Sequence, residues 1–231
     1  MAIVHIGRCE LGAAPKIAVI VDRIMPVEKV MEFREAGASL LEVRVDLFED
    51  SFARIVEYVD DVRKRTGMPM IGTMRETPSN RERRLSYFQT LIPLVDCIDI
   101  ELDTPVNREV IALCEGKPVI VSEHDFTRTP DIAELHAMAE RAQALGATIF
   151  KVAVMPRAKT DVTRVLRFCE ECAMPVVAIA MGALGAVSRV VAPLFGSLFT
   201  YAFVGEHEIA PGQLPLRELS NTIEMLYPQM S

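Results

Sequence analysis

The sequence predicts an α/β protein: a (β/α)8 TIM barrel with a short N-terminal β-hairpin closing the bottom of the barrel. Short apolar, β-rich runs alternate with helical patterns, giving eight strand–helix units across residues 16–226. Those runs are apolar on both faces, as in a parallel sheet covered by helices. The turn after the first run, Asp22-Arg23-Ile24-Met25-Pro26, has no glycine, so an open doubly wound sheet with a phosphate-binding turn is the weaker alternative. Barrels of this length are usually undivided, so residues 1–231 are expected to form one domain, with 1–11 the hairpin and 16–226 the barrel.

In chain order, Ile3–Ile6 and Arg8–Leu11 make the hairpin, turning near Gly7. Strand one is Lys16–Val21, and its helix, Val27–Ala36, stops at Gly37. Strand two is Leu40–Asp46. The following helix, Phe52–Arg65, places Phe52, Ile55, Val56, Val59 and Val62 on one face. Strand three, Met70–Arg75, leads through the polar loop 76–80 to a helix ending near Val95. Strand four is Cys97–Leu102, with a helix from Val106 to Cys114; strand five is Pro118–Ser122 and extends toward Asp125. The next helix has Thr129 as N-cap, Pro130 in its first turn and Gly146 as its stop. Strand six is Thr148–Val154 with helix Asp161–Cys172, and strand seven is Pro175–Met181 with a helix around 185–192. Strand eight is Leu198–Val204, and the last helix is Leu216–Leu226.

The chain carries 25 Lys+Arg against 32 Asp+Glu, a net charge of −7, which argues against a nucleic-acid or anionic-membrane surface. The basic runs Arg63-Lys64-Arg65 and Arg81-Glu82-Arg83-Arg84 are read as solvated helix faces. No apolar run approaches the ~18 residues of a membrane helix, and the N-terminus has no signal-peptide pattern, so a cytoplasmic protein is expected. Five scattered cysteines suggest reduced thiols. Cys169 and Cys172 match C-x-x-C but lie late in a helical pattern without a second ligand pair, which disfavours a redox or zinc role.

Barrel active sites lie at the C-terminal ends of strands, and polar residues gather there. Lys151 sits inside an apolar strand, where loss of hydration disfavours the ammonium and makes the amine a nucleophile. The other reading of that stretch is a barrel lysine paired with a carboxylate. Glu42, Arg44 and Asp46 alternate on strand two and so share a face. Arg75 ends strand three, Glu101 lies on strand four and His124 follows strand five. An amine, an imidazole and several guanidiniums suit a substrate carrying a carboxylate. Arg189, in the glycine-containing stretch that begins at Met181, is the candidate for that carboxylate, and the loop 210–213 could close over the mouth. Gly182 and Gly185 are open to a second reading, tight helix packing.

Several stretches match, in order, a known family: Leu41-Glu-Val-Arg-Val-Asp46, Thr73-Met-Arg75, Ser122-Glu-His-Asp-Phe126, Lys151-Val-Ala-Val-Met-Pro156, Met181-Gly-(x)5-Ser-Arg189, Phe195-Gly-Ser197 and Ala210-Pro-Gly-Gln213. On these the chain resembles the type I 3-dehydroquinate dehydratases. The resemblance implies a carbon–oxygen lyase of the shikimate pathway that converts 3-dehydroquinate to 3-dehydroshikimate and water by syn elimination. It implies a Schiff base on Lys151 and proton transfer by His124. Arg189 would take the carboxylate, Glu42, Arg44, Arg75 and Gln213 the hydroxyls, and Met181 would pack against the ring. No metal or organic cofactor is implied, and a homodimer is.

Three positions depart from the family's usual pattern. Ile20 and Ile209 stand where serines are common, and the Ser79-Asn80 region stands where a glutamate usually assists the histidine. The loop 204–208 is also about one residue longer. The rival readings are another class I aldolase-like imine-forming lyase, a non-catalytic ligand-binding barrel, and a metal-dependent enzyme using Glu42, Asp46, Glu101 and His124.

Overall fold

The computed structural model describes residues 3–228, so residues 1–2 and 229–231 of the expected 1–231 span lie outside it. Eight parallel strands follow one another in chain order: β3 (Ile17–Val21), β4 (Leu40–Arg44), β5 (Met70–Thr73), β6 (Cys97–Glu101), β7 (Val119–Asp125), β8 (Ile149–Val154), β9 (Val176–Ala180) and β10 (Thr200–Phe203). β10 pairs back onto β3, with Thr200 opposite Ile17. The seam between β9 and β10 is thin: one bridge, Val176 to Ser197, and a 2.8 Å bond from Leu198 N to Val176 O. The two-residue β11 (Leu214–Pro215) runs beside β10 and leads directly into the last helix.

Helices cover the outside: α1 (Val27–Glu35), α2 (Phe52–Thr66), α3 (Arg84–Leu91), α4 (Asn107–Leu113), α5 (Ile132–Leu145), α6 (Lys159–Glu171), α7 (Gly182–Gly185), α8 (Ser188–Val191) and α9 (Leu216–Leu226). Strand periodicity divides the apolar residues between two cores. Val19, Leu41, Val43, Ile98, Val121 and Val152 face the helices. Ala18, Leu40, Ile71, Cys97, Ile120 and Ile149 face the barrel interior, where Val4, Ile6 and Leu11 pack with them. Those three residues come from the antiparallel hairpin of β1 (Val4–Ile6) and β2 (Cys9–Leu11). The turn residue Gly7 lies against Asp96, just ahead of β6, which puts the hairpin at the N-terminal end of the strands.

Four expectations change. Strand two ends at Arg44, and Asp46 belongs to a 3-10 turn, because Asp46 folds back to pair with Arg44. Asp131, not Thr129, caps α5: its carboxylate accepts from Glu134 N at 2.8 Å while Glu134 accepts from Asp131 N at 2.8 Å. The Thr129 hydroxyl is buried without a partner among the described residues. The helix expected around 185–192 is divided into α7, α8 and a 3-10 turn. Arg84 is fully buried rather than solvated. It donates to Met74 O and Thr104 Oγ1 and pairs with Glu101, so its charge and donors are satisfied where β5, β6 and the start of α4 meet. Among the described residues no helix is long and apolar enough to cross a membrane.

The first and last helical units meet at Gly37, which has φ +104° after α1; a Cβ there would lie 2.0 Å from Ser220 Oγ on α9. Gly37→Ala adds both backbone strain and overlap, so it is expected to cost about 1–3 kcal/mol in urea unfolding.

Candidate active site

The barrel interior changes character in one strand step. Leu40, Ile71, Cys97, Ile120 and Ile149 form its apolar floor, and two residues further along the same strands stand Glu42, Thr73, Asp99, Ser122 and Lys151. A period of two keeps both sets facing inward, so the polar set forms the next layer. A further step brings Arg44, Glu101 and His124 to the mouth, joined by Arg75 just past β5.

Lys151 occupies the middle of the polar layer, 4% exposed. Its Nζ donates to Asp99 Oδ2 at 2.9 Å, Tyr201 Oη at 2.9 Å and Glu42 Oε2 at 3.4 Å, and it lies 4.4 Å from the Tyr201 ring centroid. The carboxylate pairing considered from sequence is therefore present. Asp99 also pairs with Arg75 Nη1 at 2.8 Å and accepts from Ser122 Oγ at 2.6 Å. Burial alone would raise the Asp99 pKa, but Arg75, Lys151 and the Ser122 hydroxyl outweigh it and hold this carboxyl well below the usual range. Burial works against the charge on Arg75, yet Asp99, Glu101 and Glu42 together raise its pKa above the ordinary value. The Tyr201 phenol is pushed up by burial and by Glu42 and Asp99, so it stays protonated.

At the mouth, Arg44 Nη2 pairs with Asp46 at 2.8 Å and Glu101 pairs with the buried Arg84. His124 is half-buried, and no described residue hydrogen-bonds its imidazole. Burial, then the charges of Arg75 and Lys151, depress its pKa well below 6.5, so the ring is neutral at pH 7 and able to accept a proton.

Arg189 approaches from α8, 2% exposed. Its Nη2 donates to Pro211 O at 3.0 Å, while its Nε is buried with no partner among the described residues. Burial, only partly offset by Glu208, lowers its pKa to about 10, which still leaves a cation at neutral pH. Gln213 Oε1 accepts from Ile209 N at 3.0 Å and Ala210 N at 3.1 Å, so this amide oxygen holds the loop and only its nitrogen is left for a ligand. Glu42, Arg44, Arg75, His124, Lys151, Met181, Arg189 and Gln213, the residues singled out from sequence, all line one cavity of about 170 Å³. Ile20 and Ile209 line it too and make part of its wall apolar. By formal charge, Lys151, Arg44, Arg75 and Arg84 are matched by Glu42, Asp46, Asp99 and Glu101, which leaves Arg189 as the cation lining the cavity that has no ion pair among the described residues.

Asp99 and Tyr201 were not anticipated. The acid-apolar alternation of Asp99-Ile100-Glu101 was the available signal for the first; Tyr201 lies in an apolar run and gave none. Ser79 shares a 2.9 Å bond with Thr77, and Asn80 accepts from Thr77 N and donates to Arg75 O, so this loop brings no carboxylate to His124. Glu76 bonds Arg81 instead, and Asp125 is held by Thr127 and Arg128. Gly185 is the tight-packing glycine: a Cβ would lie 2.3 Å from Ala180 O. The oxygens that a metal would need from Glu42, Asp46 and Glu101 are already paired with Lys151, Arg44 and Arg84. Burial pushes the Cys169 thiol up to about 12 and raises Cys172, so neither is a reactive thiolate at neutral pH.

Comparison with known proteins gives a consistent set of relatives. The sequence profile of Type I 3-dehydroquinase matches residues 17–230. The 3-dehydroquinate dehydratase of Methanosarcina barkeri is 37% identical over 96% of this chain and 99% of its own length. That of Methanocella arvoryzae is 38% identical over 82% of this chain and 88% of its own. Among solved structures, the type I 3-dehydroquinate dehydratase of Clostridium difficile, solved with covalently modified comenic acid, has a TM-score of 0.85 and 27% identity, covering 98% of each chain. The 3-dehydroquinate dehydratase of Geobacillus kaustophilus has a TM-score of 0.84 at 28% identity, covering 99% of this chain and 97% of its own.

Asp99→Asn removes the charge shared by Lys151 and Arg75 and leaves only the more distant Glu42 and Glu101 to offset the two buried cations, an expected loss of about 3 kcal/mol in denaturant unfolding at pH 7. Because the folded pKa of Asp99 is depressed, its contribution is complete above about pH 4 and is lost as pH falls through the folded value. The variant's deficit therefore shrinks on acidification, which unfolding curves across pH will show.

Proposed function

The chain belongs to the type I 3-dehydroquinase family, and on that premise we propose that it dehydrates 3-dehydroquinate to 3-dehydroshikimate through an imine on Lys151. The observation that carries the proposal is a buried amine at the centre of the cavity, with a neutral imidazole one strand step above it. In the first step the Lys151 amine adds to the ring ketone and a water leaves, giving a protonated imine. The proton that the ammonium gives up is returned to the carbinolamine hydroxyl, which leaves as the water, so Asp99 and Glu42, within 3.4 Å of Nζ, end the step ionised. These carboxylates then face the iminium cation that replaces the ammonium, so the charge they stabilise is conserved without reorganisation.

His124 next removes the proton from the carbon beside the imine. The electron pair moves to form the enamine, then returns to expel the neighbouring hydroxyl, which takes the proton from the His124 imidazolium and departs as water. A second water hydrolyses the iminium and frees Lys151. The imine serves as the electron sink, so the scheme requires no metal or organic cofactor. Arg189 Nε, buried and unpaired, is the group for the substrate carboxylate; its single unbalanced charge suits a monoanion. Arg44, Arg75 and Glu42 are each engaged with a partner and meet the hydroxyls through their remaining sites, as does the Gln213 amide nitrogen, while Met181 packs against the ring. An aldolase-like lyase shares the lysine but does not call for this one unpaired guanidinium. The C. difficile relative, solved with a covalently modified ligand, is in keeping with covalent chemistry. The same reading has the enzyme act in the cytoplasm on a free small molecule as a homodimer, away from nucleic acid and membrane; the net charge of −7 supports the last exclusion.

Mixing the protein with 3-dehydroquinate should produce the ultraviolet absorbance of the conjugated product, and borohydride should trap an adduct that mass spectrometry maps to Lys151. Lys151→Ala should abolish both. His124→Ala should still form the adduct but turn over at least about 100-fold more slowly. Folded protein giving neither turnover nor adduct sinks the proposal.

The free-enzyme pKa of His124 is read by the acid limb of kcat/KM. With that pKa depressed, the limb should fall below pH 6.5, and activity should be level from there through pH 7. A limb at or above 6.5 would contradict the neutral, buried imidazole.

A further inference from the structure

The peptide group joining Pro211 to Gly212 is held from both ends by opposite charges. Its carbonyl oxygen accepts from Arg189 Nη2 and from Gly182 N, each at 3.0 Å, and its N–H donates to Glu208 Oε2 at 2.8 Å. A cationic donor on the oxygen and an anionic acceptor on the N–H polarise the peptide in the same sense, so each bond strengthens the other. The geometry depends on glycine: Gly212 has φ +76°, and a Cβ there would lie 2.4 Å from Gly182 O. Glu208 is exposed, yet its charge reaches the buried Arg189, the two being joined to the same peptide, and among the described residues no other carboxylate offsets that guanidinium. Gln213 binds Ile209 and Ala210 in the same loop, so Glu208 is presented from a fixed frame.

We propose that Glu208 is a built-in counter-ion of Arg189 that sets the affinity of the site for carboxylate ligands. It is a positioning residue, since it acts through the Pro211–Gly212 peptide and not on the substrate. The proposal rests on the reading of Arg189 as the carboxylate site. In the ligand-free enzyme Glu208 is the only anion acting on Arg189 among the described residues. When a ligand carboxylate reaches the unpaired Nε, two anions share one guanidinium and repel each other. Substrate and product both carry that carboxylate, so Glu208 weakens both and speeds the departure of the product.

The test compares Glu208→Gln, which keeps an acceptor oxygen for Gly212 N but loses the charge, with Glu206→Gln, an exposed carboxylate of the same loop. KM for 3-dehydroquinate and the dissociation constant of 3-dehydroshikimate by calorimetry are measured at low and high salt. In Glu208→Gln both constants should fall about two- to fivefold at low salt, and the difference should shrink as salt screens the charge. Glu206→Gln should match wild type. Unchanged constants in Glu208→Gln, or equal shifts in both variants, overturn the proposal. Arg189→Gln separates the two levels of argument and should weaken product binding by about tenfold or more. If it does so while Glu208→Gln changes nothing, only the counter-ion role fails; if Arg189→Gln leaves binding intact, the carboxylate assignment fails with it.

Discussion

The contact on which the active-site end of this barrel depends is the Asp99 carboxylate, shared between Lys151 and Arg75. Charges inside a barrel are expensive unless each is matched and hydrogen-bonded, and here the matching runs around the ring. β4 contributes Glu42, β6 Asp99, β7 Ser122 and β8 Lys151, so four strands converge on one small volume. None of these groups is satisfied by its own strand. The register that aligns Glu101 with Ser122 and Ser122 with Lys151 is therefore tied to the chemistry it assembles.

That cluster is possible because the layer beneath it is dry. The inward residues two positions earlier on five strands are Leu40, Ile71, Cys97, Ile120 and Ile149, and the hairpin side chains Val4, Ile6 and Leu11 pack with them. Water is kept from the bottom of the charged layer, so the field of its ions is strong at the amine. The same exclusion depresses the pKa of His124 and keeps its ring a base, while the mouth above remains open to a ligand.

The loop after β10 adds a different kind of control. Where the interior charges are matched, Arg189 is left with one buried donor unused, and the loop answers it at a distance with Glu208 through a single peptide. On the proposed function, an anionic ligand completes what the fold leaves incomplete. Ile20 and Ile209 line the same space, so recognition is polar toward the strand ends and apolar elsewhere on the wall.

Sequence alone determined the barrel, because eight apolar runs that no water can cover, each followed by an amphipathic helix, have few other ways to bury themselves. It also singled out eight of the fifteen residues that line the cavity: strand position picked out Glu42, Arg44, Arg75, His124 and Lys151, the glycine-containing stretch after strand seven gave Arg189, and the family resemblance added Met181 and Gln213. It could not say which charge meets which. Arg84 read as a solvated helix residue because its partners, Met74 O, Thr104 and Glu101, lie 10 to 20 positions away and are brought to it only by packing. Asp99 and Tyr201 escaped notice for the same reason: their bonds to Lys151 span 52 and 50 residues. Local pattern decides which way a side chain points, but long-range closure of the ring decides what stands opposite it, and for buried ions the opposite group sets the protonation state.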